Sequence, residues 1–197
     1  MDYAILVNKN NILNETFIPE DLVDCTENDI PRYDSSHKVY LVHEALEAFL
    51  KMQNEAFKNG YHIIITSGYR SYEYQQFILN KIIEIKGDEA YKTVAIPGTS
   101  EHQTGLAIDI GIKRNGVYIP DAMINHECLQ PEIKWAQENA YKFGYILRYP
   151  KGKEDITGYN YEQWHFRYVG HSIATEMYEN NISTLEEYHK KYTLKRI

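Results

Sequence analysis

The stretch "SEHQTGLAIDI", Ser100 to Ile110, decides how the chain is read. Leu106, Ile108 and Ile110, continued by Ile112, point one way, while Ala107, Asp109 and Gly111 point the other. Strand side chains alternate between faces with a period of two, so this is a strand whose apolar face meets a core. A single aspartate breaks the opposite face, set between two of the smallest residues available. A carboxylate flanked in this way is open to something bulky lying over the strand. His102 stands just before the strand, close enough to fold back over the same face.

Working outward, Val39 to Asn59 carries apolar residues at Val42, Ala45, Leu46, Phe49 and Phe57, a helical spacing that stops at Gly60. "HIIITSGYR" reads as a buried strand, His62 to Thr66, that ends in a turn at Ser67-Gly68. Tyr72 to Lys86 is helical through Phe77, Ile78, Ile82 and Ile85. Pro131 suits the first turn of a helix running to Phe143, with Gly144 just past its end. Tyr145–Tyr149 and Trp164–Val169 are further strands, and Thr184 with Glu187 forms a capping box for a last helix. Short strands joined by hairpins and helices, without a regular βαβ rhythm, predict an α+β fold: one small domain, its central sheet mostly antiparallel and flanked by helices. Residues 1–38 are polar and irregular, and are expected to be a covering arm of the domain formed by residues 39–197.

The chain has 197 residues, 43% hydrophobic and 25% charged, which suits one soluble domain with a sizeable core. Its net charge of -7 argues against nucleic acid or anionic membrane as a partner. No stretch is apolar for long enough to span a membrane, and no signal peptide is evident at Met1-Asp2-Tyr3. The chain as given therefore reads as cytoplasmic, although one trimmed of an export signal would look the same. Cys25 and Cys128 are far apart and form no CxxC, so they are either two free thiols or one disulfide.

His102 and Asp109 converging on one point make two thirds of a catalytic zinc site, which needs three protein ligands and an open fourth position. "EQWHFRYVG" offers the third. Trp164, Phe166 and Tyr168 share one face of that strand, and His165, Arg167 and Val169 the other. His165 is thus the only metal-binding residue type on its face. Glu162 would point the wrong way on an ideal strand and is expected in the turn just before it, beside the metal. That position suits a general base acting on the water that such a metal activates. His37, His43, His62, His126, His171 and His189 have no comparable context.

Taken together, Ser100-x-His102-x-x-Gly105-x-Ala107-x-Asp109 and Glu162-x-Trp164-His165 resemble the zinc D-Ala-D-Ala peptidases, the group of the VanX, VanY and VanXY enzymes of glycopeptide resistance. "SGYRS" (Ser67–Ser71), "ILRYP" (Ile146–Pro150) and "DITG" (Asp155–Gly158) are similar to the VanY and VanXY branch, as are the opening "LVNKNN" and closing "TLEEYH". The resemblance implies the small zinc fold shared with the hedgehog signalling domain. It implies one Zn²⁺ per chain on His102, Asp109 and His165, with Glu162 as catalytic base and Arg70 stabilising the oxyanion. Ser100 and Gln75 match positions near the substrate's terminal carboxylate and peptide groups, and Tyr69 and Trp164 would wall the pocket. The expected reaction is D,D-carboxypeptidase removal of D-Ala from peptidoglycan precursor peptides, with D-Ala-D-Ala dipeptide as a further substrate. The rival readings are an L,D-carboxypeptidase or endopeptidase on the same scaffold, and a non-catalytic zinc module, against which Glu162 speaks. Monomer and homodimer stay open.

Overall fold

The computed structural model describes residues 2–25, 38–124 and 130–193. Cys128, His37 and His126 lie outside these residues. The elements are β1 (Leu22–Asp24), β2 (Tyr40–Val42), α1 (His43–Lys58), β3 (Ile63–Ser67), α2 (Tyr72–Lys86), α3 (Ala90–Thr93), β4 (Ala107–Arg114) and β5 (Val117–Ile119). They continue as α4 (Pro131–Asn139), β6 (Tyr145–Tyr149), α5 (Glu154–Thr157), β7 (Glu162–Tyr168), α6 (His171–Glu179) and α7 (Leu185–Thr193). The main sheet has the order β3-β4-β7-β6, with β5 paired to the far end of β4, and each of these ladders is antiparallel. The α+β architecture is as the sequence implies.

The alternation along β4 explains the core. Ile108, Ile110 and Ile112 are buried with Ile63 and Ile65 of β3 and Phe166 of β7. Helix α1 closes over them with Ala45, Leu46, Phe49, Met52 and Ala56, one stripe at helical spacing, and α4 adds Ile133 and Ala136. Each buried Leu, Ile, Phe or Met among these contributes about 1.5–3 kcal/mol of burial. The buried Tyr145 hydroxyl donates to Ala45 O at 2.6 Å, which keeps its polar end satisfied inside this packing.

Several details differ from the expected pattern. The segment expected to be helical from Val39 begins instead as strand β2, which pairs with β1, and the helix starts at His43. Phe57 is exposed and meets the His62 ring edge-on rather than joining the core. Along α2 only Gln75 and Leu79 are buried, while Phe77 and Ile85 face out. Glu162 is not in a turn but opens β7. The helix from Pro131 passes into a 3-10 turn at Ala140 before ending at Gly144. The Thr184–Glu187 capping box is formed, with Glu187 N donating to Thr184 Oγ1 at 3.1 Å and Thr184 N to Glu187 Oε2 at 3.0 Å. No described helix is long and apolar enough to cross a membrane.

Gly111 has a different reason for its size from the one its neighbourhood suggested. A Cβ there would meet Ile119 O at 2.6 Å and Thr66 Cγ2 at 2.7 Å. The chain's own 119–121 segment, not a ligand, lies over this part of the strand, and it carries Asp121 to the edge of the cleft.

Candidate metal centre and its cleft

Ser100 leads into a 3-10 turn, Glu101–Thr104, which stops at Gly105 in the left-handed region (φ 66°). The Thr104 hydroxyl donates to Glu101 O at 2.6 Å and accepts from Leu106 N at 3.1 Å, so the turn closes on itself before β4 starts. A side chain at Gly105 would strike Leu22 Cδ2 at 2.8 Å, because β1 and β2 pack tightly against this turn. His102 is thereby held inside the protein at 1% exposure, not out in a surface loop.

Its Nδ1 lies 2.6 Å from Gly68 O, and a carbonyl can only accept, so Nδ1 carries the proton. The Nε2 lone pair is then directed into the site, 3.2 Å from Asp109 Oδ2. Asp109 and His165 are opposed in the β4–β7 ladder, and His165 Nδ1 is 3.1 Å from Asp109 Oδ1. Glu162 Oε2 is 3.5 Å from the same Nδ1. An ideal strand would turn Glu162 away from His165. Between the Leu147–Phe166 and Tyr149–Glu162 pairs, however, β6 advances two residues and β7 four, and this irregularity brings both side chains to one side.

One ligand atom from each of His102, Asp109 and His165 lies within 4.8 Å of the other two, and all three residues are buried. His102 Nε2 and Asp109 Oδ1 are buried without any hydrogen bond, although each has a neighbour within contact distance. Buried polar atoms are rarely left unsatisfied. Two nitrogens and a carboxylate oxygen around one point are the donor set of an open zinc site, so these residues fit a metal ion. The electrostatics are sharply divided. Burial and the Arg70 guanidinium hold His102 down at about 4. For His165 burial acts downward too, but the carboxylates of Asp109, Glu101 and Glu162 outweigh it and hold it up at about 9. Burial likewise opposes ionisation of Asp109, yet the two imidazoles keep its carboxyl well below the usual range. Glu162, with burial as the main influence, is pushed up to about 6.

Arg70 follows the end of β3. Its backbone N–H donates to His102 O at 3.1 Å, and its Nη2 stands 3.7 Å from Asp109 Oδ2. Nη1 donates to Gln75 Oε1 at 3.1 Å, and Gln75 Nε2 in turn donates to Ala95 O at 2.8 Å. Gln75 is therefore engaged at both ends within the protein and holds the guanidinium in place. Ser100, Gln75, Arg70, Glu162 and His165 line a small cavity of about 120 Å³, walled also by Tyr149 and Tyr159. A larger cleft of about 520 Å³ opens on the other side of Arg70 and Asp109, and Tyr69, Tyr74 and Asp121 line it. Trp164 packs against the main core and is not among the lining residues of either space.

Sequence reasoning missed Glu101, Arg148 and Arg167. Glu101 Oε1 accepts from Arg148 Nε and Arg167 Nη1, both at 2.8 Å, and all three side chains are fully buried. Burial would raise the Glu101 carboxyl, but the two guanidiniums hold it well below the ordinary carboxylate range. Arg167 could have been found, since it shares the His165 face of the alternation. Tyr149 and Tyr159 carried no such signal, and neither did Asp121, whose carboxylate takes the Thr66 hydroxyl and which burial and Asp109 push up.

Comparison with known proteins gives a consistent picture. Residues 38–171 match the model of the family VanY, D-alanyl-D-alanine carboxypeptidase. YodJ of Bacillus subtilis (strain 168) is 44% identical over 192 residues, covering 94% of this chain and 66% of YodJ. The bifunctional D-Ala-D-Ala dipeptidase and D-Ala-D-Ala carboxypeptidase VanXYC of Enterococcus gallinarum is 35% identical over 194 residues, 96% of this chain and 94% of VanXYC. Among solved structures, the LdcB LD-carboxypeptidase superposes with a TM-score of 0.80 at 43% identity, covering 94% of this chain and 85% of LdcB. A mutant of the vancomycin resistance D,D-pentapeptidase VanY in complex with Zn(II) gives 0.71 at 33% identity, with 95% and 99% covered. The chain spans 66% and 56% of the lengths of YodJ and of the D-alanyl-D-alanine carboxypeptidase of Enterococcus faecium.

Proposed function

Because the chain belongs to the VanY family of D-alanyl-D-alanine carboxypeptidases, we propose that it is a zinc peptidase releasing the C-terminal D-alanine of peptidoglycan precursor peptides. The observation that carries this reading is the convergence of His102 Nε2, Asp109 Oδ1 and His165 Nδ1 beside the Glu162 carboxylate. His102, Asp109 and His165 would hold one Zn²⁺ per chain. Bound there, zinc supplies Lewis acidity, which polarises the scissile carbonyl and makes water a better nucleophile at neutral pH.

The protein's own residues do the rest. Glu162 accepts a proton from the attacking water and passes it to the departing amine of D-alanine. Arg70, braced by Gln75, faces the charge that develops on the carbonyl oxygen, where a planar guanidinium offers two parallel donors. Ser100 and Gln75 line the small cavity, whose volume of about 120 Å³ suits a residue no larger than alanine. Tyr69 stands on the larger cleft, which is open enough for the rest of a stem peptide. Trp164 supports the strand from the core side rather than touching substrate. Of the covering arm expected over residues 1–38, residues 2–25 and 38 are among those described, and the role is supported there by Arg167 Nη2 donating to Tyr3 O and Ile5 O.

D,D specificity follows the family description, and D-Ala-D-Ala dipeptide is a further substrate on the likeness to VanXYC. The likeness to LdcB favours a second reading on the same site, an L,D-carboxypeptidase. Incubation with D-Ala-D-Ala, a D-Ala-D-Ala-ended pentapeptide and a tetrapeptide ending in an L,D bond separates the readings by which of the three releases its terminal amino acid. D-alanine from the pentapeptide supports the first, and release from the tetrapeptide alone supports the second.

A further inference from the structure

We propose that Glu101 is a positioning residue: its carboxylate holds the His165 proton on Nε2, so that Nδ1 presents its lone pair to the metal. This rests on the metal reading of the site. Glu101 Oε1 is saturated by Arg148 and Arg167 at 2.8 Å each. Glu101 Oε2 is left buried with no hydrogen bond, and it faces His165 Nε2 at 3.8 Å, which also lacks one. Two orphaned buried atoms of complementary type, aimed at one another, are partners that close up once His165 is drawn into coordination. A carboxylate can only accept, so Nε2, facing Glu101, keeps its proton, and Nδ1, on the Asp109 side, is the nitrogen that gives up its own and presents a lone pair when the metal binds.

The device extends beyond the site. Arg148 also donates to Glu186 of α7, through Nη2 to Oε1 at 2.7 Å and Nη1 to Oε2 at 2.9 Å. Arg167 is anchored on the backbone at Tyr3 and Ile5. Two glutamates and two arginines thus balance in charge, and elements near both ends of the described chain fix the orientation of one metal-binding imidazole.

The test is Glu101→Gln. In that variant the amide oxygen must take the Oε1 position, because two guanidinium groups donate there. The amide NH₂ then points at His165 Nε2 and demands an acceptor, which drives the proton to Nδ1. Zinc affinity, measured by competition with a chromophoric chelator, should fall roughly 10–100-fold. Glu186→Gln removes the same charge from the far end of the cluster without touching His165. It should lower the melting temperature of the metal-free protein and leave zinc affinity as it was. In zinc-loaded wild-type protein, nitrogen-15 NMR of the His165 ring should show the proton on Nε2, a reading that needs no variant. Wild-type affinity in Glu101→Gln, equal loss in both variants, or a proton on Nδ1 in the loaded wild type overturns the inference. A wild-type protein that binds no zinc overturns the metal reading itself, and is recognised because it fails before any variant is compared.

Discussion

Glu162 and His165 sit three residues apart and touch, yet they should fail in different ways when changed. Glu162→Gln removes the proton acceptor and leaves the three ligands in place. Turnover should drop roughly 10²–10⁴-fold with zinc content unchanged. His165→Ala removes a ligand, so zinc itself should be lost in a metal assay. Zinc loss in both would make Glu162 a ligand and not a base. Arg70 is a second residue whose role kinetics can read. Aimed at developing charge, its replacement by alanine should lower kcat and kcat/KM together by roughly 10²–10³. Arg70→Lys should recover only part, because an ammonium lacks the planar fork that Gln75 braces. A raised KM with intact kcat would instead assign Arg70 to the substrate's terminal carboxylate, which is equally charged in ground and transition states.

At the scale of elements, β4 carries the most consequence. One of its faces packs Ile108, Ile110 and Ile112 into the core, and the other holds Asp109 against His165. Gly111 sits beneath the 119–121 crossing, where backbone atoms leave no room for a methyl group. Gly111→Ala should therefore destabilise the protein by about 1–3 kcal/mol through overpacking. Chemical denaturation measures this directly, and a stability equal to wild type would show that the crossing segment gives way freely. This element was readable in advance, since strict alternation of isoleucines needs no tertiary information. The irregularity in β7 was not. Its sequence alternates plainly, and only pairing with the shorter run of β6 reveals two additional residues between matched partners.

For the whole molecule, metal and fold should be linked. The three ligands come from a turn and two different strands, so binding zinc ties together parts of the chain far apart in sequence. Chelation should abolish activity, and zinc should restore it. Any ligand that binds only the folded state stabilises it, by about 2.7 kcal/mol at a free concentration one hundred times Kd. The melting temperature should accordingly rise with zinc and fall with chelator. A melting temperature indifferent to zinc, in protein active without metal, would remove zinc from the mechanism.

The spacing of residues along the chain was enough to determine the α+β class, the core face of β4, helix α2 with its bounds and the capping box at Thr184, and, together with the family resemblance, to nominate His102, Asp109, His165, Glu162 and Arg70 as site candidates. These depend on period, chain-local hydrogen bonding and motif, which are properties of the sequence itself. Tertiary structure alone decided which nitrogen of each histidine faces the site, because that depends on Gly68 O for His102 and on Asp109 and Glu101 for His165. It decided that Gln75 braces Arg70, that Trp164 belongs to the core, and that Phe57 and much of the α2 stripe face solvent. It also brought Glu101, Arg148, Arg167 and Glu186 into one buried cluster. The physical reason is common to all of these. A hydrogen bond or ion pair between residues tens of positions apart is set by how strands register and helices pack, and no local pattern in the chain encodes that register.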